Sequence, residues 1–181
     1  MKKPFIMLMM SSCLLSTPSI AQVVVNDPVA TSQAVITCGN ARFTVLTPEM
    51  IRVEYSEQAK FEDRATFTIV NRKLDAPQFT KSEDDTYLYI TTSNLKLKYR
   101  KGTDPRTLPA SPSNLTITIS GNGVSSVWYP GKPDPLNLKG TSRTLDGLMG
   151  ESKRAEMENG LVSRSGWAVI DDSWASILLT F

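Results

Sequence analysis

Two adjacent carboxylates, Asp171 and Asp172, lie in the segment "SRSGWAVIDDS" near the end of the 181-residue chain. Carboxylate pairs perform acid–base chemistry when both groups reach one bond, at separations of about 5 to 9.5 Å. The preceding residues, "WAVIDD", are typical of a strand, and neighbours in a strand point to opposite faces. We therefore expect the two aspartates at a solvated strand end and turn, and not as a catalytic dyad.

Histidine chemistry is excluded, because the whole sequence contains no histidine. This removes Ser–His–Asp and Cys–His catalysis and every metal site with a histidine ligand. The chain has two cysteines, Cys13 and Cys38, and Cys13 lies in a segment that we expect to be removed. A single remaining cysteine cannot form an internal disulfide. We predict no catalytic residue, no metal and no cofactor in this chain.

The first residues resemble an export signal. Two lysines precede an apolar run, and Ser19 and Ala21 are small residues of the kind that precede a signal-peptidase cut. The apolar run is too short to span a membrane comfortably. We predict a signal peptide over 1–21, no membrane span, and export to the periplasm or beyond. A lipoprotein cut and anchor at Cys13 is the alternative.

The charge balance argues against a nucleic-acid partner. The chain has 20 basic and 18 acidic residues, and removal of the two signal lysines leaves 18 of each. Affinity for nucleic acid comes mainly from neutralising phosphates. A neutral exported chain is therefore predicted to bind no nucleic acid.

Apolar residues recur with a period of two, which indicates strands with one buried face. In "LKLKYRK" (Leu95–Lys101) they alternate with basic residues, which we expect on a solvated face. Asn122-Gly123 lies between two β-branched runs and indicates a hairpin. No window shows a helical stripe, so we predict an all-β chain with a β-sandwich fold. The predicted strands are "ARFTVL", "MIRVEY", "TFTIV", "YLYITT", "LKLKYRK", "LTITIS", "VSSVWY" and "WAVIDD".

A long segment from Tyr129 to Gly160 interrupts this rhythm with glycine, proline and charge. Loops of such length are usually functional or disordered. Its "GTSRTLDG" stretch combines Arg143, Asp146 and hydroxyls, which suits the binding of polyols and equally the capping of a loop. Trp167, further along the chain, could stack on a sugar ring or fill the core.

The resemblance to a known family begins with "ARFTVLTPEMIRVEYSEQAKFEDRATFTIVNRK", which is similar to the N-terminal domain of glycoside hydrolase family 31. Its recurring features are Leu46-Thr47, Ile51–Tyr55, Phe61 with Asp63, and Asn71-Arg72. The resemblance continues in the expected order to Ser173 through "ITTSNLKLKY", "NLTITI", "NLKGTSRTLDG" and "GLVSRSGWAVIDDS".

The resemblance implies a galactose-mutarotase-like β-sandwich over 33–181, after an N-terminal linker at 22–32. In the family a catalytic (β/α)8 barrel of about 250 residues follows, and two barrel aspartates hydrolyse α-linked glycosides with retention. We expect this chain to lack the barrel, to be incomplete at its C-terminal end and to be inactive alone.

In the family, a loop of the sandwich reaches over the barrel mouth, and "GTSRTLDG" matches its position. The resemblance therefore implies that Arg143 and Asp146 bind substrate, and it makes Arg164 and Trp167, near the barrel interface, two further substrate-binding candidates. The implied protein is an exported α-glucosidase or α-xylosidase type, whose partners are an α-linked oligosaccharide and the enzyme's own barrel. Two alternatives stay open: an autonomous carbohydrate-binding module, and a purely structural or interaction domain.

Overall fold

Strands form nearly all of the regular structure. The computed structural model describes residues 27–107, 114–121, 123–140 and 157–173, which include one 3-10 turn at Ser32–Ala34. Within these ranges no helix has the length and apolar character needed to cross a membrane. The strands are β1 (Val35–Cys38), β2 (Ala41–Thr47), β3 (Met50–Tyr55), β4 (Thr80–Glu83), β5 (Tyr87–Thr91), β6 (Leu95–Arg100), β7 (Leu115–Gly121) and β8 (Val124–Trp128).

The strands form two antiparallel sheets, ordered β1-β2-β3 and β4-β5-β6-β7-β8. Strands that are neighbours in sequence pair with each other, so each sheet is a meander. One hydrophobic core draws residues from both sheets, and the predicted all-β sandwich is confirmed. At its centre the ring of Phe43 in β2 lies 5.0 Å from the ring of Tyr99 in β6. The two rings are tilted, which is an arrangement that aromatic pairs favour.

The alternation of buried and exposed residues along β6 shows which side of the larger sheet faces the core. Leu95, Leu97 and Tyr99 are buried, whereas the basic residues between them are exposed. Leu97 pairs with Ile90 of β5 and Ile117 of β7, so a row of aliphatic side chains crosses the core side of the sheet. Burial of each such side chain contributes about 1.5–3 kcal/mol to folding.

The strand β2 is buried on both faces. Phe43 faces the larger sheet, whereas Arg42 lies beneath the segment 56–79 that joins β3 to β4. The Arg42 guanidinium donates two hydrogen bonds to the Glu54 carboxylate, at 2.7 and 2.9 Å. It also pairs with Asp63 at 2.8 Å. These carboxylates compensate the cost of burying the Arg42 charge.

Two of the predicted strands are wrong. "TFTIV" (66–70) has only an isolated bridge at Thr66, and "WAVIDD" (167–172) forms no strand. The Thr66 N–H donates to the nearby Ile69 carbonyl at 3.1 Å, which is a local turn in place of a ladder. Two strands, β1 and β4, were not predicted. Every residue of β4, "TKSE", is exposed, so its side chains show no apolar period.

The predicted hairpin at Asn122-Gly123 is confirmed. The strands β7 and β8 are antiparallel, with Gly121 opposite Val124 and two residues between them. Gly123 has φ +77°, a left-handed conformation that glycine adopts without a Cβ penalty. The two-residue length of this turn, with Gly123 in a left-handed conformation, sets the register of β8 on β7.

Candidate functional site

Two segments that follow β8 pair with each other outside both sheets, and we call residues 134–140 and 157–166 the arm. An isolated antiparallel bridge joins them between Asn137 and Ser163. Backbone hydrogen bonds on both sides of this bridge continue the pairing. The arm therefore brings together the two ends of segment 141–156, which contains most of "GTSRTLDG".

Asp134 organises the base of the arm. Its Oδ1 accepts hydrogen bonds from Ser163 Oγ at 2.8 Å and Ser165 Oγ at 2.6 Å. Its Oδ2 accepts from Asn137 Nδ2 at 2.9 Å. Burial alone would raise the pKa of Asp134, but these hydrogen bonds prevail and lower it below its ordinary value. A buried, ionised carboxylate thus holds both segments of the arm.

The Asn137 side chain makes a second link between the two segments. Its Oδ1 accepts from the N–H groups of Lys139, at 2.8 Å, and Gly160, at 2.9 Å. Its Nδ2 donates to the Gly160 carbonyl at 3.1 Å. A Cβ at position 160 would lie 2.6 Å from the Lys139 carbonyl oxygen. Only glycine allows the two backbones to approach this closely.

One side of the arm is apolar and open to water. Leu136, Leu138 and Val162 are 52, 54 and 63 % exposed, and we call these three residues the apolar face of the arm. The face lies opposite Asn137, because side chains alternate along the paired segments. Arg164 is exposed on the same side, where its N–H donates to the Leu136 carbonyl at 3.1 Å. Clustered exposed apolar residues of this kind mark interaction sites.

The structure describes two of the four predicted substrate-binding residues. Arg143 and Asp146 lie outside the described residues. Arg164 is exposed on the arm, and Trp167 is half-buried. Within the described part of the chain, the buried Trp167 Nε1 has no hydrogen-bond partner. The two described residues lie in one short segment, but the structure shows no contact that joins their side chains.

A shallow, open depression lies beside the ends of segment 141–156. It has a volume of about 310 Å³ and is lined by Lys139, Met157, Glu158 and Asn159. The Lys139 ammonium donates to Asn159 Oδ1 at 2.8 Å. An ammonium, a carboxylate and an amide are groups that can hydrogen-bond to hydroxyl-rich ligands.

The two candidate aspartates make separate contacts. The Asp172 carboxylate accepts from Thr66 Oγ1 at 2.9 and 3.0 Å and is half-buried, so its predicted place at a solvated strand end is wrong. Asp171 is exposed and accepts from the Ser173 N–H at 3.0 Å. The pair therefore does not converge on a common point.

Arg72 explains why Asp172 is held inside. This arginine is 1 % exposed, and its Nη1 donates to the carbonyls of Pro28, Asp63 and Arg64 at 3.2, 3.4 and 3.0 Å. Its Nη2 lies 3.9 Å from the Asp172 carboxylate. Arg72 thereby links the start of the described chain, the segment after β3 and the segment after the arm. The sequence draws attention to this residue only through the Asn71-Arg72 pair of the family resemblance. It does not predict that the Arg72 guanidinium lies buried beside Asp172.

No model of a known protein family matches the chain, and no curated protein does either. Among the residues described by the structure, no group of three or more histidine, cysteine or acidic side chains could hold a metal ion. The site therefore consists of a buried anchor at Arg72 and Asp172, and an arm with an exposed apolar face.

Proposed function

We propose that this chain is the non-catalytic N-terminal β-sandwich of an exported family 31 α-glycoside hydrolase, where it supports the barrel and shapes the sugar pocket. The ordered sequence motifs support the family, and the sandwich is the fold that this role requires. The observation that carries the proposal is the apolar face of the arm, next to the segment that contains "GTSRTLDG".

The apolar face suits a domain contact. Leu136, Leu138 and Val162 lie side by side on a ribbon that hydrogen bonds hold in place. A second domain packed on them would remove the exposed half of three large side chains from water, at a gain of about 1–2 kcal/mol each. Contacts between domains typically cover about 600–1,500 Å². The proposed partner is the catalytic barrel of the same enzyme.

In this proposal Arg143 and Asp146, from the segment between the two halves of the arm, contribute to the sugar pocket. An arginine donates hydrogen bonds to sugar oxygens, and a carboxylate accepts them from sugar hydroxyls. Arg164, on the open side of the arm, adds a donor beside the interface. In this proposal the barrel aspartates cleave the α-linked bond, and this chain orients the sugar.

Sequencing of the locus beyond the Phe181 codon tests the proposal most directly. We expect a (β/α)8 barrel of family 31 to be encoded downstream in one of the reading frames. A locus that encodes no such barrel in any frame would contradict the proposal.

Assays of the purified chain separate the proposal from its alternatives. We expect no hydrolysis of p-nitrophenyl α-glucoside or α-xyloside, and only weak heats when maltose is titrated into the chain by calorimetry. Tight binding of maltose would instead support an autonomous carbohydrate-binding module. Turnover that disappears in Asp171→Asn, a change at an exposed residue, would assign catalysis to this chain.

A further inference from the structure

The outer side of β6 carries a row of cations without anionic partners. Lys96, Lys98 and Arg100 are exposed, and we call these three residues the basic face. No ion pair in the described part of the chain involves any of them. Alternate residues of a strand lie about 6.8 Å apart, so the row is about 14 Å long.

The neighbouring strands add polar groups to the basic face and no carboxylate. The one acidic residue in the five strands, Glu83, pairs with Leu88 and therefore belongs to the core side of the sheet. Asp84, in the turn before β5, is occupied by the Tyr89 hydroxyl and by two backbone N–H groups. The residues paired directly with the three cations on β5 and β7 are Tyr87, Tyr89, Thr91, Thr116 and Thr118.

We propose that the basic face binds a linear acidic polysaccharide, with sugar carboxylates placed along β6. A row of fixed cations matches a polymer that repeats its negative charge along an extended chain, better than it matches a small monoanion. The threonine and tyrosine hydroxyls beside the row can hydrogen-bond to sugar hydroxyls.

Two features favour a polysaccharide over other polyanions. The Lys98 ammonium lies 4.0 Å from the centroid of the Tyr87 ring, so this ring face is not free to stack on a nucleic-acid base. Large aliphatic side chains are also scarce: on the outer side of β5, β6 and β7 there are none, and Val127 lies at the edge in β8. A membrane surface is usually bound with apolar side chains inserted beside the cations.

The basic face shares no residue with the arm, so this inference stands apart from the proposed function. It adds a second binding surface to the domain, for a polymer that need not be the substrate. Failure to bind an acidic polysaccharide would not bear on the proposed barrel contact. A locus that encodes no barrel would likewise not bear on the basic face.

Affinity electrophoresis and calorimetry with polygalacturonate at low salt test the inference, with dextran as the neutral control. We expect binding to polygalacturonate and none to dextran. The double variant Lys96→Gln/Lys98→Gln should bind about 30-fold more weakly, because each cation near an anionic surface contributes about a factor of five. The logarithm of affinity should also fall less steeply with the logarithm of salt concentration.

The matched control is Lys60→Gln/Lys73→Gln, which removes the same charge from exposed sites outside the larger sheet and should keep wild-type affinity. Lys96→Arg/Lys98→Arg should also bind, which guards against misfolding in the glutamine variant. Equal loss in both glutamine variants would overturn the proposal, and so would no binding at low salt. Tighter binding to phosphatidylserine vesicles or to single-stranded DNA than to polygalacturonate would also overturn the proposal.

Discussion

Thr66 and Asp172 are 106 positions apart, yet the Thr66 hydroxyl lies 2.9 and 3.0 Å from the two oxygens of the Asp172 carboxylate. The same carboxylate is 3.9 Å from the buried guanidinium of Arg72. One aspartate thus joins the segment after the arm to the segment that covers the smaller sheet. The "IDDS" motif stabilises the domain through Asp172, because this contact fixes where the chain returns from the arm.

We predict that Asp172→Asn lowers the free energy of unfolding by about 2–3 kcal/mol. The substitution removes the carboxylate closest to a buried guanidinium, and breaking such a pair costs far more than losing a surface pair. Urea denaturation of the purified chain measures the change from the transition midpoint and slope.

Asp171→Asn is the matched control for this prediction. The substitution is the same and the residue is adjacent, but Asp171 is exposed, and within the described residues it hydrogen-bonds to Ser173 alone. Its effect should stay within about 0.5 kcal/mol. Equal destabilisation by the two variants would contradict the anchoring role of Asp172.

Local patterns of side chains predict four of the five strands of the larger sheet, β5 to β8. The alternation in β6 identifies both its buried and its solvated face, and Asn122-Gly123 locates the turn before β8. Each of these signals lies within a few residues of the feature that it predicts. This is why the all-β class and the hairpin could be predicted from the sequence.

The two wrongly predicted strands reflect a contact between distant parts of the chain. "TFTIV" and "WAVIDD" have strand-like composition, but Thr66 and Asp172 bind each other through their side chains. The strand β4 has the opposite property: backbone pairing with β5 forms it, although "TKSE" shows no apolar pattern. Amino-acid composition indicates neither the side-chain contact of Thr66 with Asp172 nor the backbone pairing of β4 with β5.

The candidate site could be predicted only in part. The sequence predicts Arg164 and Trp167 as site residues. It does not predict Asp134, whose carboxylate accepts hydrogen bonds from both segments of the arm. Its setting, "PDP", is typical of a turn and is a weak signal for a buried carboxylate. The two serines that donate hydrogen bonds to Asp134, Ser163 and Ser165, lie about thirty residues further along the chain. No local sequence pattern therefore indicates these contacts.

We predict that Asp134→Ala loosens the arm. The change leaves three buried or half-buried donors without their acceptor, at a cost of about 1–3 kcal/mol for each fully buried group. Hydrogen exchange should accelerate at the Leu138 and Arg164 amides, whose hydrogen bonds pair the two segments. Amides of β6 should keep their protection.

The control for the arm is Asp104→Ala. Asp104 is also a carboxylate in a loop, but its side-chain hydrogen bonds within the described ranges all come from Arg106, its near neighbour. This variant should leave exchange in the arm unchanged. If both variants accelerate exchange at Leu138, Asp134 has no special role there.

Acid should weaken the domain partly through Asp134. The pKa of this carboxyl is lowered in the folded chain, with burial opposing the shift and hydrogen bonds from Ser165, Asn137 and Ser163 producing it. Its contribution to stability is therefore complete above the unfolded pKa of about 3.9 and is lost as pH falls through the lower folded value. We expect the urea midpoint to fall as the pH drops below about 5.

Asp134→Asn should show a smaller fall over the same pH range, because its side chain does not titrate. Glu62, whose pKa the hydrogen bond from the Arg64 side chain lowers to about 2, titrates in both proteins and cancels in the comparison. Parallel pH profiles for the two proteins would show that Asp134 does not contribute.

The apolar face of the arm should make the isolated chain self-associate. Leu136, Leu138 and Val162 are more than half exposed on one side of a ribbon, and clustered exposed apolar side chains favour association. Sedimentation velocity at micromolar concentration should show oligomers of the wild-type chain. Leu138→Lys/Val162→Lys should sediment as a monomer, whereas Val29→Lys/Phe67→Lys, at exposed apolar sites outside the arm, should still associate. A wild-type chain that stays monomeric would show that the apolar face is stable in water without a packing partner. That result would remove the main structural support for a barrel contact.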